Sequence, residues 1–448
     1  MSKKNYFQYF ATLAILGTKV FISVFSILIL LISCSDKTNN DNVIRFRFPT
    51  PQVGIDSAAE AIREVVNNFN IAYEGIYFVE IEEVPGVQNY IDQITLQIES
   101  GNLPPVVYGL GYNLLDLLLA RNLAVDLTDF INADETWKSQ FNKMSLVVNS
   151  RNDRIYASSS WATFVGYYYN KELFELAGIV TPAETWEEFE KHLESLKSIG
   201  IIPLSLQTMD SAWTAQFWLG ALIATKSDNG LTFMQTPLIE RYNHDFVIEA
   251  ATILQRWLQE YTTVDAIGGD YAIAASNFLN ERTAMIANGP WMISMFSDES
   301  MVAEGFYDKI GYALFPGNFV FDAPDQGYIV TKQGSFELEK AAIKFVRFIS
   351  SDESQLISLL KSNLVPSSYN VVIPDEIKST NPLLADCLEV RKRASSSSYN
   401  MQTNMAAATV DELGLTMTLL GSGDITPKVF AERLTKAAEK NNLLIAKE

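Results

Sequence analysis

The 448-residue chain has two cysteines and two histidines. Cys34 and Cys387 are too few for a dense disulfide framework or a thiolate metal cluster, and His192 and His244 exclude a multi-histidine metal site. Basic residues are also scarce. Lys and Arg number 34 against 53 Asp and Glu, a formal net charge of −19, and removing residues 1–33 takes away Lys3, Lys4 and Lys19 and no acid, which gives −22. So acidic a chain disfavours adhesion to nucleic acid or anionic lipid. No GxSxG, HExxH, phosphate-loop or EF-hand pattern occurs. Carboxylates are abundant but not uniquely paired in sequence, whereas glycoside hydrolysis needs two held about 5–9 Å apart. His192 falls on the solvent-leaning side of an amphipathic helix and His244 in a polar turn. The expectation is a protein without catalysis, cofactor or metal. With 48% hydrophobic and 12% aromatic residues, what is present suffices for a large core divided into two or more lobes.

The amino end carries an address. Lys3 and Lys4 precede an apolar stretch whose uninterrupted part, Val20 to Ile32, is thirteen residues long. That is short of the roughly 20 residues of a membrane span and suits a signal-peptide core. Counting back to Tyr9 gives a longer segment with Lys19 inside it, so a retained anchor helix is the alternative. Leu31-Ile32-Ser33-Cys34 resembles the lipobox of bacterial lipoproteins. That resemblance implies cleavage before Cys34, which then carries lipid on its sulfur and its new amino terminus. Several acyl chains hold a protein on a bilayer durably where one binds marginally. Residues 1–33 are thus expected as signal peptide and 34–42 as a polar tether. No later segment is a charge-free span of membrane length, which leaves a body held outside the cytoplasmic membrane and facing the periplasm or the exterior.

Residues 43–48 alternate as a strand, 76–84 return as a second, and 104–111 are apolar on both faces and end in glycine. Between them lie two helices, the first capped by Asp56 or Ser57 with Ile62, Val65, Val66 and Phe69 inward, the second covering 90–101 and ending at Gly101. Strand, helix, strand, helix, strand is the rhythm of an open α/β lobe whose ligands sit beyond the carboxyl ends of its strands. A second region begins near Asp153 with short strands, then a helix over 182–200 capped by Thr185 with Trp186, Phe189, Leu193 and Leu196 inward. Further helices are expected over 214–224, 246–258, 334–350, 352–361 and 426–443. The four serines 395–398 read as a turn or part of a helix.

Several phrases, in order, are similar to one family. They are ESGNLPPVVYG (99–109), YYNKELFELAGI with TPAETWEEFEKH (168–192 without Val180), RTAMIANGPWM (282–292), AAIKFVRFISSDESQ (341–355) and the late GDITPKVFAERLTKAAE. The chain resembles the extracellular solute-binding proteins of ABC importers, in the sugar-binding branch that includes the maltose-binding protein. The resemblance implies an α/β, two-lobed periplasmic-binding-protein-like fold of type II, with discontinuous lobes joined by a hinge. Lobe one is expected over 43–150 plus 316–357 and lobe two over 151–315 plus 358–448, with a crossing at IGYALFPG (310–317). It also implies a monomer that traps a carbohydrate and delivers it to ABC permease subunits. A non-sugar solute, or a receptor or structural lipoprotein uncoupled from transport, are the alternatives.

A sugar presents an apolar face and a rim of hydroxyls, so its site needs aromatic platforms among short polar groups. Trp291 follows Asn288-Gly289-Pro290, and its family counterpart stacks on sugar. Asp210 and Trp213 occupy a turn the family often uses, and Trp161 follows three serines at the entry to the second lobe. Tyr112 lies in the glycine-bearing turn after a central strand, and Gln326 and Tyr328 stand where relatives carry a glycine-rich stretch. These seven are the candidate ligand-binding residues. Trp186, Trp218 and Trp257 have apolar helical neighbours and read as core, and Glu82 reads as surface.

Cys34→Ala expressed in the native host should abolish incorporation of radioactive palmitate. Continued labelling would remove Cys34 as the lipid site.

Overall fold

The computed structural model describes residues 43–52, 58–109, 114–236 and 238–445. The expected signal segment, Cys34, Tyr112 and the helix cap at Asp56 or Ser57 lie outside the described residues. The strands in chain order are β1 (Ile44–Thr50), β2 (Tyr77–Glu83), β3 (Val106–Tyr108), β4 (Ser150–Arg151), β5 (Arg154–Ile155), β6 (Ala157–Ser158), β7 (Ala162–Asn170), β8 (Ile202–Leu204), β9 (Thr283–Asn288), β10 (Ile310–Ala313), β11 (Phe319–Pro324), β12 (Tyr328–Val330) and β13 (Ser396–Ser398). Their pairings form two lobes of mixed helix and sheet.

In the first lobe, β1 and β2 are parallel, and β12 lies antiparallel between β3 and β6. Alternation in β1 exposes Arg45 and Arg47 and buries Phe46 and Phe48, as a strand with one covered face requires. The helix Ala58–Ala72 turns Ala61, Ile62, Val65, Val66 and Phe69 inward. Phe345, from the helix Phe336–Ile349, meets Phe48 and Phe69 edge to face, each at 5.1 Å between ring centroids. The helix Val87–Ser100 ends at Gly101, whose φ of 68° is the left-handed conformation that stops a helix most cheaply at glycine.

The second lobe is organised on β7, which is buried along nearly its whole length. It pairs antiparallel with β9 on one side and with β10 and then β11 on the other; β8 extends the sheet beyond β9 and β13 extends it beyond β11. Gly166 sits where β10 presses closest: a Cβ there would lie 2.2 Å from the Ala313 carbonyl oxygen. The helix Trp186–Ser198 opens with a full capping box, Thr185 accepting from the Glu188 amide and Glu188 accepting from the Thr185 amide, and buries Phe189, Leu193 and Leu196.

Two expectations change. The serine run is an edge strand, parallel to Phe319–Phe321, because β11 leaves a row of backbone groups that only another extended segment satisfies. The segment 310–317 does not leave the second sheet, since β10 and β11 both pair with β7 and the chain stays there through Pro324. The first core accordingly takes residues from Phe46 to Ala157 and again from Tyr328 to Ile349, while the second lobe's cores take Phe164 to Phe321 and resume at Leu359.

Trp218 and Trp257 are fully buried and Trp186 packs against the same core. Trp257 lies 5.4 Å from Phe189 and 5.9 Å from Trp218, and its indole donates to Glu190 at 3.0 Å. Trp257→Ala should cost about 3 kcal/mol or more of folding stability, measured by urea unfolding. A loss under about 1 kcal/mol would contradict this packing.

Candidate functional site

Three indole rings converge where the two lobes meet. Trp291 is central: its ring centroid lies 6.1 Å from Trp161, at an interplanar angle of 79°, and 6.4 Å from Trp213, at 51°. Trp161 packs against the first core, whereas Trp213 and Trp291 pack against the second lobe's. All three are half-buried, so each keeps part of its surface for another partner.

Each ring is placed by a local device. Trp291 follows β9 through Asn288-Gly289-Pro290, and the ring folds back so closely that a Cβ on Gly289 would stand 2.2 Å from it. Glycine is the one residue that admits this packing. Asn288 accepts from the Gly289 amide at 2.9 Å, Tyr168 donates to the Gly289 carbonyl at 3.0 Å, and Pro290 starts the short helix Pro290–Ser297.

Trp213 opens the helix Trp213–Lys226 and follows three consecutive left-handed residues, Asp210, Ser211 and Ala212, with φ of 48°, 57° and 55°. Such residues cost on the order of 1–3 kcal/mol each and persist where surrounding contacts over-determine them. Here the Met209 amide donates to the Gly269 carbonyl at 3.0 Å, Asp210 accepts from the Tyr271 amide at 3.2 Å, and the side-chain-free face of Gly414 lies against the Ser211 backbone. The Asp210 side chain thus supports the turn at an exposed position beside Trp213.

Trp161 belongs to the first segment that passes between the lobes, and Asp325 to the second. The Asp325 amide donates to the Trp161 carbonyl at 3.1 Å, and Ser159 donates to the Asp325 carbonyl at 2.5 Å. The Asp325 carboxylate accepts from the Tyr108 hydroxyl and, at 3.0 Å, from the Gln326 amide. Burial pushes its pKa up to about 6, against the opposing pull of those two donors. Gln326 is buried beside it. Tyr328 stands apart from the indoles: only 1% exposed, it packs in the first core on Phe48 and Tyr108. Glu82 is a partly exposed partner of Arg47 and Gln93.

Sequence reasoning missed Asp325, Ser159 and Asp411. Asp411, on the helix Ala407–Ser422, has its pKa raised by partial burial and by the charge of Asp92 on the first lobe's helix Val87–Ser100. No local pattern distinguishes these residues from other acids and serines. Among the described residues, no group of three or more His, Cys, Asp or Glu side chains is placed to hold a metal, and no helix is long and apolar enough to cross a membrane. His192 is half-buried against Phe174, and that burial lowers its pKa. The arrangement offers stacking surfaces and hydrogen-bonding groups from both lobes.

Two α/β lobes with facing aromatic and polar groups at their junction define a two-lobed binding protein. The chain belongs to the bacterial extracellular solute-binding proteins, whose family profile matches residues 64–385. Members of that family are transport components without catalysis. The chain is 28% identical over 174 residues to a multiple sugar-binding protein of Streptococcus mutans, a match spanning 37% of this chain and 39% of that protein. It is 23% identical over 382 residues to a maltooligosaccharide ABC transporter solute-binding lipoprotein of Streptococcus pneumoniae, spanning 81% of each. The solved structure of a chitin oligosaccharide binding protein superposes with a TM-score of 0.78 at 20% identity, covering 90% of this chain and 100% of that one, which establishes the shared fold.

Because the Asp325 carboxyl titrates higher in the folded protein than the ordinary 3.8, the folded state binds its proton first as pH falls. Its favourable contribution is present in full below pH 3.8 and is lost as pH rises to about 6. The stability difference between the parent and Asp325→Asn should therefore shift against the parent by about 1–3 kcal/mol across that window. A pH-independent difference would place the carboxyl in an ordinary solvated setting.

Proposed function

We propose that this chain is a lipid-anchored subunit of an ABC-type importer that binds a sugar or oligosaccharide outside the cytoplasmic membrane and passes it to membrane permease subunits. The observation that carries the reading is the convergence of Trp161 from one lobe with Trp213 and Trp291 from the other. An indole face matches the apolar face of a pyranose, and short polar groups around it match the hydroxyl rim. The names of the streptococcal relatives support sugar as the solute, and the lipobox at Leu31–Cys34 supports anchoring.

In this reading lobe one comprises about 43–158 plus 325–357, and lobe two about 162–324 plus 358–445. A solute touching both lobes is held more tightly when they are closed, so it shifts an open–closed equilibrium toward the form a permease recognises. Trp291, Trp213 and Trp161 are its stacking residues. Tyr112 and Gln326 are its contacts from the first lobe and the crossing segment, and Asp210 offers a carboxylate beside Trp213. Tyr328 acts as a packing residue beneath them.

A thermal-shift screen over mono- and oligosaccharides tests the function, because a solute bound only by the folded state raises apparent stability. At least one sugar should raise the midpoint; a screen in which only non-sugar solutes do so would overturn the sugar assignment. Trp291→Ala should then weaken calorimetric affinity for the best sugar roughly thirtyfold, about 2 kcal/mol, while its thermal midpoint without sugar stays near the parent's. Affinity within threefold of the parent would remove the stacking role.

A further inference from the structure

Exposed apolar side chains gather where the chain enters the first lobe. The Ile44 amide donates to the Ile76 carbonyl at 3.0 Å, and Ile44 stands opposite Tyr77 in the parallel register of β1 and β2. The start of β1 therefore lies beside the turn that joins the helix Ala58–Ala72 to β2. That turn is tight: the Tyr73 amide donates to the Phe69 carbonyl, and the Ile76 and Tyr77 amides both donate to the Tyr73 carbonyl. Around it Ile71 is 65% exposed, Ile76 54% and Phe78 38%. Single exposed apolar residues are ordinary on a surface, whereas several fixed about one point mark a place of contact.

The charges nearby sit at the margin of this edge. Arg45 lays its guanidinium over the Phe78 ring, 4.6 Å from the centroid, and Glu74 and Glu80 are exposed. An apolar edge with a long cation stacked on it suits a bilayer interface, where the apolar groups enter the acyl boundary and the guanidinium stays among the headgroups.

The chain outside the lobe argues for the same occupant. Residues 35–43 join the start of β1 to Cys34, and nine residues reach no farther than about 32 Å even when drawn out straight. With Cys34 acylated, this edge is the part of the lobe bound most closely to the bilayer by the chain itself. A short linker raises the effective concentration of the surfaces it joins to the order of millimolar, so a contact too weak to hold a free protein becomes occupied. The formal charge of −19 opposes adhesion to anionic lipid, which leaves apolar contact as the attraction.

We propose that Ile71, Ile76 and Phe78, with Arg45, seat the first lobe on the lipid bilayer that holds the Cys34 anchor. The proposal rests on the anchoring part of the function above and is independent of which solute is carried. Phe48, toward the carboxyl end of β1, meets Tyr328 beside the second passage at 5.8 Å between ring centroids, so the seat and the passages lie toward opposite ends of that strand. Seated this way, the lobe turns the carboxyl ends of β1 and β2 away from the lipid, which leaves the solute site beyond them open to the exterior.

The acylated mature protein carrying Ile76→Cys tests the seat, with Val264→Cys, at a position 98% exposed in the second lobe, as the reference. Cys387 is buried, so a maleimide fluorophore marks the introduced cysteine. Each labelled protein is placed on phosphatidylcholine vesicles, with and without phosphatidylcholine bearing a nitroxide near the top of its acyl chain. The label at 76 should be quenched by the nitroxide lipid and be at least about threefold less quenched by aqueous iodide than the label at 264. Adding Ile71→Asp and Phe78→Ser should restore iodide access while the thermal midpoint stays near the parent's. Equal iodide access at the two positions overturns the seat, as does shielding that survives those two substitutions. Shielding from iodide without quenching by nitroxide lipid also overturns it, because a second copy or the chain's own residues 35–43 then cover the edge. Vesicle flotation separates the seat from the anchor: protein that floats with an open label refutes the seat alone, and protein that fails to float refutes both.

Discussion

The contact between the two segments that pass from lobe to lobe is the constraint on which the site depends. Gly327 runs so close to the first segment that a Cβ would lie 2.1 Å from the Ser158 carbonyl carbon and 2.4 Å from the Ser159 nitrogen. Backbone meets backbone there, and short polar groups complete the seam: Asn149 accepts from the Gly327 amide at 3.1 Å and donates to Ser159 at 2.8 Å. Ser158 in turn accepts from the Trp137 indole and donates to Ser350, which fastens the seam to the first core. The carbonyl of Trp161 holds the Asp325 amide, which ties the two segments together next to Gln326.

The second lobe meets this seam with rigid parts. Its sheet reaches the passage through β11, whose Asp322 takes a two-pronged bond from Arg391 at 2.6 and 2.7 Å. Both partners of that pair are mostly buried, so losing either leaves an uncompensated charge, which costs much more than an exposed pair contributes. Trp213 and Trp291 project from the same lobe on a strained turn and a glycine-dependent fold-back. Rings placed this way lose little freedom when a partner stacks on them, which is how preorganisation raises affinity.

Charge acts on the lobes in a direction of its own. Asp92 and Asp411, carried by different lobes, raise the energy of having both carboxylates ionised and near each other.

The helices, their caps and the alternation of β1 were legible in the sequence because they are local. Thr185 with Glu188, Gly101 after its helix and the inward stripe of Phe189, Leu193 and Leu196 each need only neighbours a few residues away. The tryptophans proposed as stacking residues stood out in the sequence only as types in suggestive turns, and their separation from Trp218 and Trp257 followed from helical spacing. Tertiary structure decided the rest. The serine run became a strand because β11 had an open edge, which nothing in four serines encodes. Tyr328 went into the core because β12 is covered on both faces, and a three-residue strand has no alternation from which to read that. Asp325 and Asn404 gained their settings from chain segments more than a hundred residues away, and burial and hydrogen bonding at that distance are properties of the packed lobes, beyond the reach of any local pattern.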